Sequence, residues 1–284
     1  MDNGQNGDLT QKTKDWWNSH PFTYLMNNQE IKADWAFFRN IDRKIIKWMP
    51  WAQIGYPLLS SVVDYAALSG KKVLDIAIGT GWSTEQFVRA GAEVTAIDLT
   101  PRAVELTKTR LGLNSLDGAE VLVADAQSLP FAEGTFDYVL AFGCLMHMPD
   151  TPRAISEILR VLKKGGKMGA MMYNKNSLHW WYYIYLSKGI LQGKLWKLGK
   201  QGLANRYTDG VYEGGNELTK FYTTREVKEM FKDFSSVSVE VVDDFTCLNH
   251  FPHRHLPLGS LLPRKWKQWL VGKVGQTLWI EAVK

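Results

Sequence analysis

The chain has 284 residues with 45% hydrophobic content, enough for one large α/β domain with elaborations around a buried core, which excludes a largely disordered protein. Its formal charge of +5 is mild and comes partly from clusters at 194–200 and 264–273; such runs are normally solvated faces, and without a basic-aromatic module they give no reason to expect a nucleic-acid partner. Two cysteines, Cys144 and Cys247, are too few for a disulfide framework or a thiolate metal site, no apolar run reaches the ~18 residues of a membrane span, and the polar residues 1–8 lack the pattern of a secretion signal, so a reducing cytoplasm is the expected compartment.

Helical patterns at about 10–18, 29–48 and 56–68, the last closed by Gly70, predict an N-terminal helical cap over 1–69. From Lys72 the pattern alternates through strand 72–77, helix 83–90, strand 93–97, helix 101–111, strands 120–124 and 136–141, helix 151–162 and strand 167–173. Alternation of this kind forces parallel strands with right-handed crossovers, a doubly wound α/β core over 70–173. Residues 174–215 leave that pattern with Trp180-Trp181-Tyr182-Tyr183-Ile184-Tyr185 and a glycine-punctuated basic tail, which reads as a helical lid. A helix at 223–231 returns the chain to the core, so 174–235 forms an insertion. Within 236–284, strands at 237–242 and 276–283 are expected to pair antiparallel. The stretch 243–275 between them is too long for a hairpin and is expected to pack over the site or against a partner surface.

The most informative segment is Val73-Leu74-Asp75-Ile76-Ala77-Ile78-Gly79-Thr80-Gly81, a strand that ends in an acid and enters a glycine turn before a helix. Gly79 and Gly81 let the backbone approach a ligand and take turns that a Cβ forbids, and the helix start offers free N–H groups. Asp75 is read as selecting the ligand. A carboxylate there repels the pyrophosphate of a dinucleotide and attracts the ammonium and sulfonium of S-adenosylmethionine. Dinucleotide spacing also fails, because the third glycine of G-x-G-x-x-G falls on Thr84. Further along, Asp98 ends the second strand, where a carboxylate accepts both ribose hydroxyls, and Asp125 with the Ala126 N–H ends the third, suited to adenine.

Taken in order, the 73–81 segment, Ala96-Ile97-Asp98, Asp125-Ala126-Gln127-Ser128-Leu129-Pro130-Phe131, Phe136-Asp137-Tyr138-Val139 and Arg160-Val161-Leu162-Lys163-Lys164-Gly165-Gly166 resemble the class I S-adenosylmethionine-dependent methyltransferases. The likeness is to the methyltransferase type 11 group, similar to ubiquinone/menaquinone C-methyltransferases, and covers 71–173. It implies a Rossmann-like, mostly parallel seven-stranded sheet with helical cap and lid, S-adenosyl-L-methionine as donor, S-adenosyl-L-homocysteine as product, and no metal. The cofactor set it implies is Asp75, Ala77, Gly79, Gly81, Asp98, Leu99, Asp125, Ala126, Phe142 and Tyr24. Ala77 departs from the family's usual glycine; because alanine favours negative φ, the first turn is expected to be slightly altered.

Methyl transfer from a sulfonium needs alignment and exclusion of water, and a general base is optional. His147 is the candidate base, its alternative being a histidine that packs against the cofactor or caps the next helix. Tyr173 and Tyr222 are expected to line the acceptor pocket, against ordinary lid packing. Trp17, His20 and Tyr24 either close over the methionine end of the cofactor or anchor a docking helix. Cys144 reads as a small buried residue. His250, His253 and His255 match no zinc signature and read as a solvent- or pocket-facing loop; alternatively, with Arg254 they suit an acidic substrate group. The aromatic run 180–185 and the basic stretch 263–274, with Trp266 and Trp269, fit either an acceptor pocket with a lid or contact with a membrane surface. The expected function is methyl transfer by in-line displacement to a small-molecule acceptor. The alternatives are a membrane-peripheral quinone or lipid methyltransferase, a non-catalytic donor-binding regulator and, more distantly, a nicotinamide dehydrogenase. The methylated atom (oxygen, nitrogen, carbon or sulfur) and the oligomeric state are left open.

Overall fold

Strand β1 (Lys72–Ile76) is buried from Val73 onward, as a strand covered on both faces must be. Its alternate residues feed two cores: Val73 packs with Phe37, Ile41 and Phe87 on one side of the sheet, while Leu74 and Ile76 pack with Ile155, Ile158 and Phe231 on the other. The computed structural model describes residues 3–21, 32–48, 51, 58–209, 214–243 and 258–284. Around β1 the chain builds α3 (Trp82–Arg89), β2 (Glu93–Asp98), α4 (Pro101–Leu113), β3 (Ala119–Val123), β4 (Phe136–Phe142), α5 (Thr151–Val161) and β5 (Leu162–Tyr173), preceded by α1 (Asn3–Ser19) and α2 (Trp35–Trp48). Local chemistry sets several helix starts. Thr100 and Asp150 each accept a backbone N–H ahead of a proline in the first turn of α4 and α5.

The seven strands run in the order β3-β2-β1-β4-β5-β7-β6, with β6 (Ser236–Val242) and β7 (Thr277–Val283) closing one side. Pairings from β3 to β5 are parallel, and β7 lies antiparallel to both β5 and β6, as the alternating pattern of 276–283 implied. The strand order reverses between β1 and β4. That switch point opens a cleft at the strands' carboxyl ends.

Elsewhere the chain departs from expectation. The helix expected at 56–68 is, from residue 58, a set of turns with one short 3-10 turn at Ala66–Leu68, because Leu59 takes a positive φ of 66° that no helix continues through. β5 starts at Leu162 rather than 167, with a register shift against β4 between Phe136 and Tyr138. After β5 a π-helix (His179–Leu191) and α6 (Leu195–Tyr207), broken at Gly199, form the expected helical insertion. α7 (Thr224–Met230) starts with a reciprocal cap between Thr223 and Glu226. α8 (Arg264–Val274) packs along β6, away from the cleft. Tyr24, Cys247 and the 250–255 histidine cluster lie outside the described residues.

Candidate active site

At the switch point, strand ends and α1 enclose a cavity of about 850 Å³, counted to include its mouth, within the range of nucleoside-cofactor sites. Ala77, Gly79, Asp98, Leu99, Asp125, Ala126 and Phe142 line it, so seven residues of the expected cofactor set meet there. Ala77 holds φ at 59°, the conformation a glycine would take. The turn therefore keeps a glycine shape, contrary to the expectation of an altered one, and the alanine carries the backbone strain instead. Gly79 follows with φ 53° and lines the cavity.

Asp98 is buried and held at both oxygens. Oδ1 accepts from the Thr100 N–H at 2.9 Å and its hydroxyl at 2.8 Å, while Oδ2 accepts from the Gly79 N–H at 3.1 Å. Burial raises its pKa above the usual carboxylate range, against the pull of these donors. The carboxylate thus locks the β1 turn to the end of β2 and still forms part of the cavity wall. Asp125 accepts from the Gln127 backbone N–H at 2.8 Å, and Gln127, also on the wall, in turn accepts from the Asp150 N–H.

Two of the expected residues are placed differently. Asp75 does not line the cavity: Oδ2 accepts from the Ser83 and Thr84 hydroxyls, each at 2.7 Å, and burial pushes its carboxyl up to about 7. Its proximity to the first turn of α3 pulls it into the fold, so it does not face a ligand cation. Gly81 also stands off the cavity. With φ 75° it caps α3, and a Cβ there would fall 2.8 Å from Thr107 Cγ2 and Oγ1, so this glycine serves helix packing.

The far wall is built by His147 and α1. His147 Nδ1 lies 2.7 Å from the Leu218 carbonyl oxygen, which only accepts, so that nitrogen carries a proton and Nε2 is the basic one. Nε2 is 3.5 Å from Asp209 Oδ2, and Asp209 also accepts from the Tyr173 hydroxyl at 3.0 Å. Trp17 packs edge-on to His147 with ring centroids 5.3 Å apart and lines the cavity, whereas His20 stacks on Trp16 and does not. Thr13 lines the cavity beside Trp17, and its buried hydroxyl has no hydrogen-bond partner among the described residues. An unpaired hydroxyl, an acid at the β2 end and a glycine-shaped turn fit a nucleoside ligand carrying polar edges.

Neither expected tyrosine reaches the cavity. Tyr173 sits behind His147, bound to Asp209, and the Tyr222 hydroxyl donates to Thr151 Oγ1 at 3.0 Å. Cys144 does line the wall, and burial pushes its thiol well above the usual range, as suits a packed side chain. Sequence reasoning missed Asp209, Thr13 and Gln127. Only Gln127 had a local signal, its place two residues after Asp125. Among the described residues no group of three or more His, Cys, Asp or Glu is placed to hold a metal ion.

Residues 74–169 match the sequence family described as "Methyltransferase domain". That stretch of the chain is similar to a methyltransferase domain. Over 110 residues it is 44% identical to a demethylmenaquinone methyltransferase of Thermobifida fusca, covering 38% of this chain and 46% of that protein. Over 118 residues it is 37% identical to a ubiquinone biosynthesis O-methyltransferase of Xanthomonas oryzae pv. oryzae, covering 40% of this chain and 49% of the relative. The chain thus spans about half the length of the curated relatives it matches. A solved S-adenosylmethionine-dependent methyltransferase from Methanosarcina mazei superposes with a TM-score of 0.54 at 23% identity, over 81% of this chain and 98% of that one, which bears on the fold. The matched stretch holds the β1 turn, Asp98, Asp125 and His147; α1 and Asp209 come from outside it.

Proposed function

We propose that this chain is an S-adenosylmethionine-dependent methyltransferase acting on a small molecule whose nucleophilic atom carries a proton. The observation that carries the reading is the cavity itself, where the family's strand-end residues meet a histidine backed by a buried acid. Asp98 is assigned to the donor's ribose, Asp125 and Ala126 to its adenine, and Thr13 to a polar edge of the same ligand. When bound, S-adenosylmethionine supplies a methyl group on a sulfonium, a leaving group already activated. What the chain adds is alignment, exclusion of water and removal of a proton.

His147 is assigned the proton. Its Nδ1–H is fixed by the Leu218 carbonyl, so Nε2 is free to gain a proton from the acceptor, and the Asp209 carboxylate stabilises the imidazolium that results. Tyr173 holds Asp209 in place and is a positioning residue. Relatives named for demethylmenaquinone and ubiquinone biosynthesis support a quinone-type acceptor. In the same reading 70–173 is the donor-binding core, 1–69 and 174–235 its cap and lid, and 236–284 its closing strand pair.

The test is transfer of labelled methyl from the donor to a panel of reduced quinones and other hydroxylated aromatics, with the product identified by mass. His147→Gln is expected to lower kcat by about 10²–10⁴-fold while calorimetry finds donor affinity nearly unchanged. A parallel loss of donor affinity would make His147 a cofactor-packing residue. Donor binding with no transfer to any acceptor would favour a regulator instead.

A further inference from the structure

The π-helix and α6 form a hairpin that turns apolar side chains outward. Trp181, Leu186, Ile190 and Leu198 are exposed, and around the turn Leu191 and Trp196 reach 74% and 75% exposure. Between 179 and 208 the sequence has five basic residues and no acid. Three of those cations lie in the same surface as the aromatic rings: Lys188 sits 5.2 Å over Tyr183, Lys194 5.0 Å over Tyr207 and Lys200 5.6 Å over Tyr185.

A second segment repeats this make-up. On α8, Trp266 and Trp269 are 65% and 66% exposed, and residues 258–280 hold four basic residues and no acid. Asn174, at the end of β5, joins the two regions: its N–H donates to the Gln276 carbonyl and its Nδ2 to the Gly275 carbonyl, each at 2.8 Å. The π-helix starts just after this junction and α8 ends just before it. Without these two segments the formal charge of +5 would be −4, since they carry nine basic residues and none of the acids.

We infer that this corner of the molecule docks on an anionic lipid bilayer, with Leu191, Trp196, Trp266 and Trp269 entering the interface and the lysines and arginines meeting the head groups. Tryptophan beside lysine and arginine, with no acid among them, is the composition that prefers the bilayer interface, where apolar area and positive charge are both satisfied. A second copy of the chain is a poor occupant. A two-fold contact would press the same acid-free, cationic surface against itself. Docking is independent of the proposed methyl transfer, although β5 ends at both features, since Tyr173 packs edge-on to His147 with centroids 6.1 Å apart.

The test is co-sedimentation of the full chain with two kinds of vesicle, pure phosphatidylcholine and an equimolar mixture of phosphatidylcholine and phosphatidylglycerol. The chain should pellet with the anionic vesicles at low salt, stay in the supernatant with the neutral ones, and be released as salt rises. The double variant Leu191→Ala/Trp196→Ala and the charge-reversed Lys194→Glu/Lys197→Glu should each weaken partitioning by about tenfold or more. Leu191, Trp196 and Lys197 are exposed and Lys194 is half-buried over Tyr207, so thermal unfolding of each variant is compared with the parent to separate lost binding from a lost fold. Failure of the parent to pellet with anionic vesicles overturns the inference, as does binding that neither variant weakens. Self-association in the absence of lipid that Leu191→Ala/Trp196→Ala abolishes would assign the surface to a contact between copies and overturn it equally. Donor binding measured on the same preparation separates this result from the fate of the proposed activity.

Discussion

Asp75 is buried against Ser83 and Thr84, and burial pushes its carboxyl up to about 7, above the ~3.9 of an unfolded chain. The folded state therefore holds this proton more tightly than the unfolded state. Its contribution to stability is full below about pH 4, is lost as pH rises towards about 7, and becomes a constant penalty above that. Asp75→Asn keeps an oxygen that accepts from both hydroxyls and removes the buried charge, so at pH 8 it is expected to be more stable than the parent by about 2–4 kcal/mol. Urea unfolding at a series of pH values checks this, and the two stabilities should converge near pH 4; parallel curves would show that Asp75 does not titrate in this way. Ala77 bears a different cost, a Cβ at φ 59°. Ala77→Gly should raise the unfolding free energy by about 1 kcal/mol, read as a higher urea midpoint at unchanged slope. A lower midpoint would mean that the alanine methyl packs better than its backbone strains.

At the scale of elements, one buried cation ties three helices together. Arg110 on α4 donates from Nε to Glu85 of α3 at 2.6 Å and from its two terminal nitrogens to Asp42 of α2 at 2.8 and 2.7 Å, while its side chain is only 5% exposed. Arg110→Met leaves Glu85 buried with Arg89 as its remaining cation and Asp42 partly exposed, and a cost of about 2–4 kcal/mol is expected, below that of a fully unpaired buried charge. Glu85→Gln in the Arg110→Met background should return part of that loss, because the buried carboxylate there retains only the half-exposed Arg89, 2.8 Å from Oε1, and its charge is then removed. Calorimetric melting of the pair separates this from simple cavity formation, for which the second substitution would restore nothing. None of this clamp was legible in the sequence: Asp42, Glu85 and Arg110 are far apart along the chain, and each alone reads as a solvated charge on a helix. The helix starts at Pro101 and Thr151 were legible for the opposite reason. A cap acts over three residues, so its signal is local.

For the whole molecule, the same distinction decides what the sequence reveals of the site. The wall assigned to the donor is written in contiguous pieces, the β1 turn with Gly79, Asp98 at the end of β2 and Asp125 at the end of β3, and the parallel topology carries those ends to one edge. Asp75 and Gly81 belong to the same motif yet turn into the fold, because the first turn of α3 and Thr107 of α4 compete for them. The opposite wall depends on distant segments. Asp209 comes from just after α6 and Thr13 from α1, and Tyr222, whose N–H donates to the Tyr173 carbonyl, is claimed by Thr151. That geometry makes α1 part of the cavity wall. Thr13 and Trp17 face the cavity, while the α1 end is joined to the core by the Arg102 N–H donating to Asn18 Oδ1 at 3.1 Å. A ligand filling the cavity bridges α1 to the strand ends, so S-adenosylhomocysteine at about 100 times its Kd should stabilise the fold by about 2.7 kcal/mol. Hydrogen exchange should slow at residues 10–19 together with the β2 end, because opening α1 would then require releasing the ligand. Thr13→Val, which keeps the shape and removes the hydroxyl, should weaken that ligand by about three- to tenfold. Slower exchange at Asp98 with no change in α1 would show instead that the helix is a bystander, leaving the cavity open on the side where Trp17 meets His147.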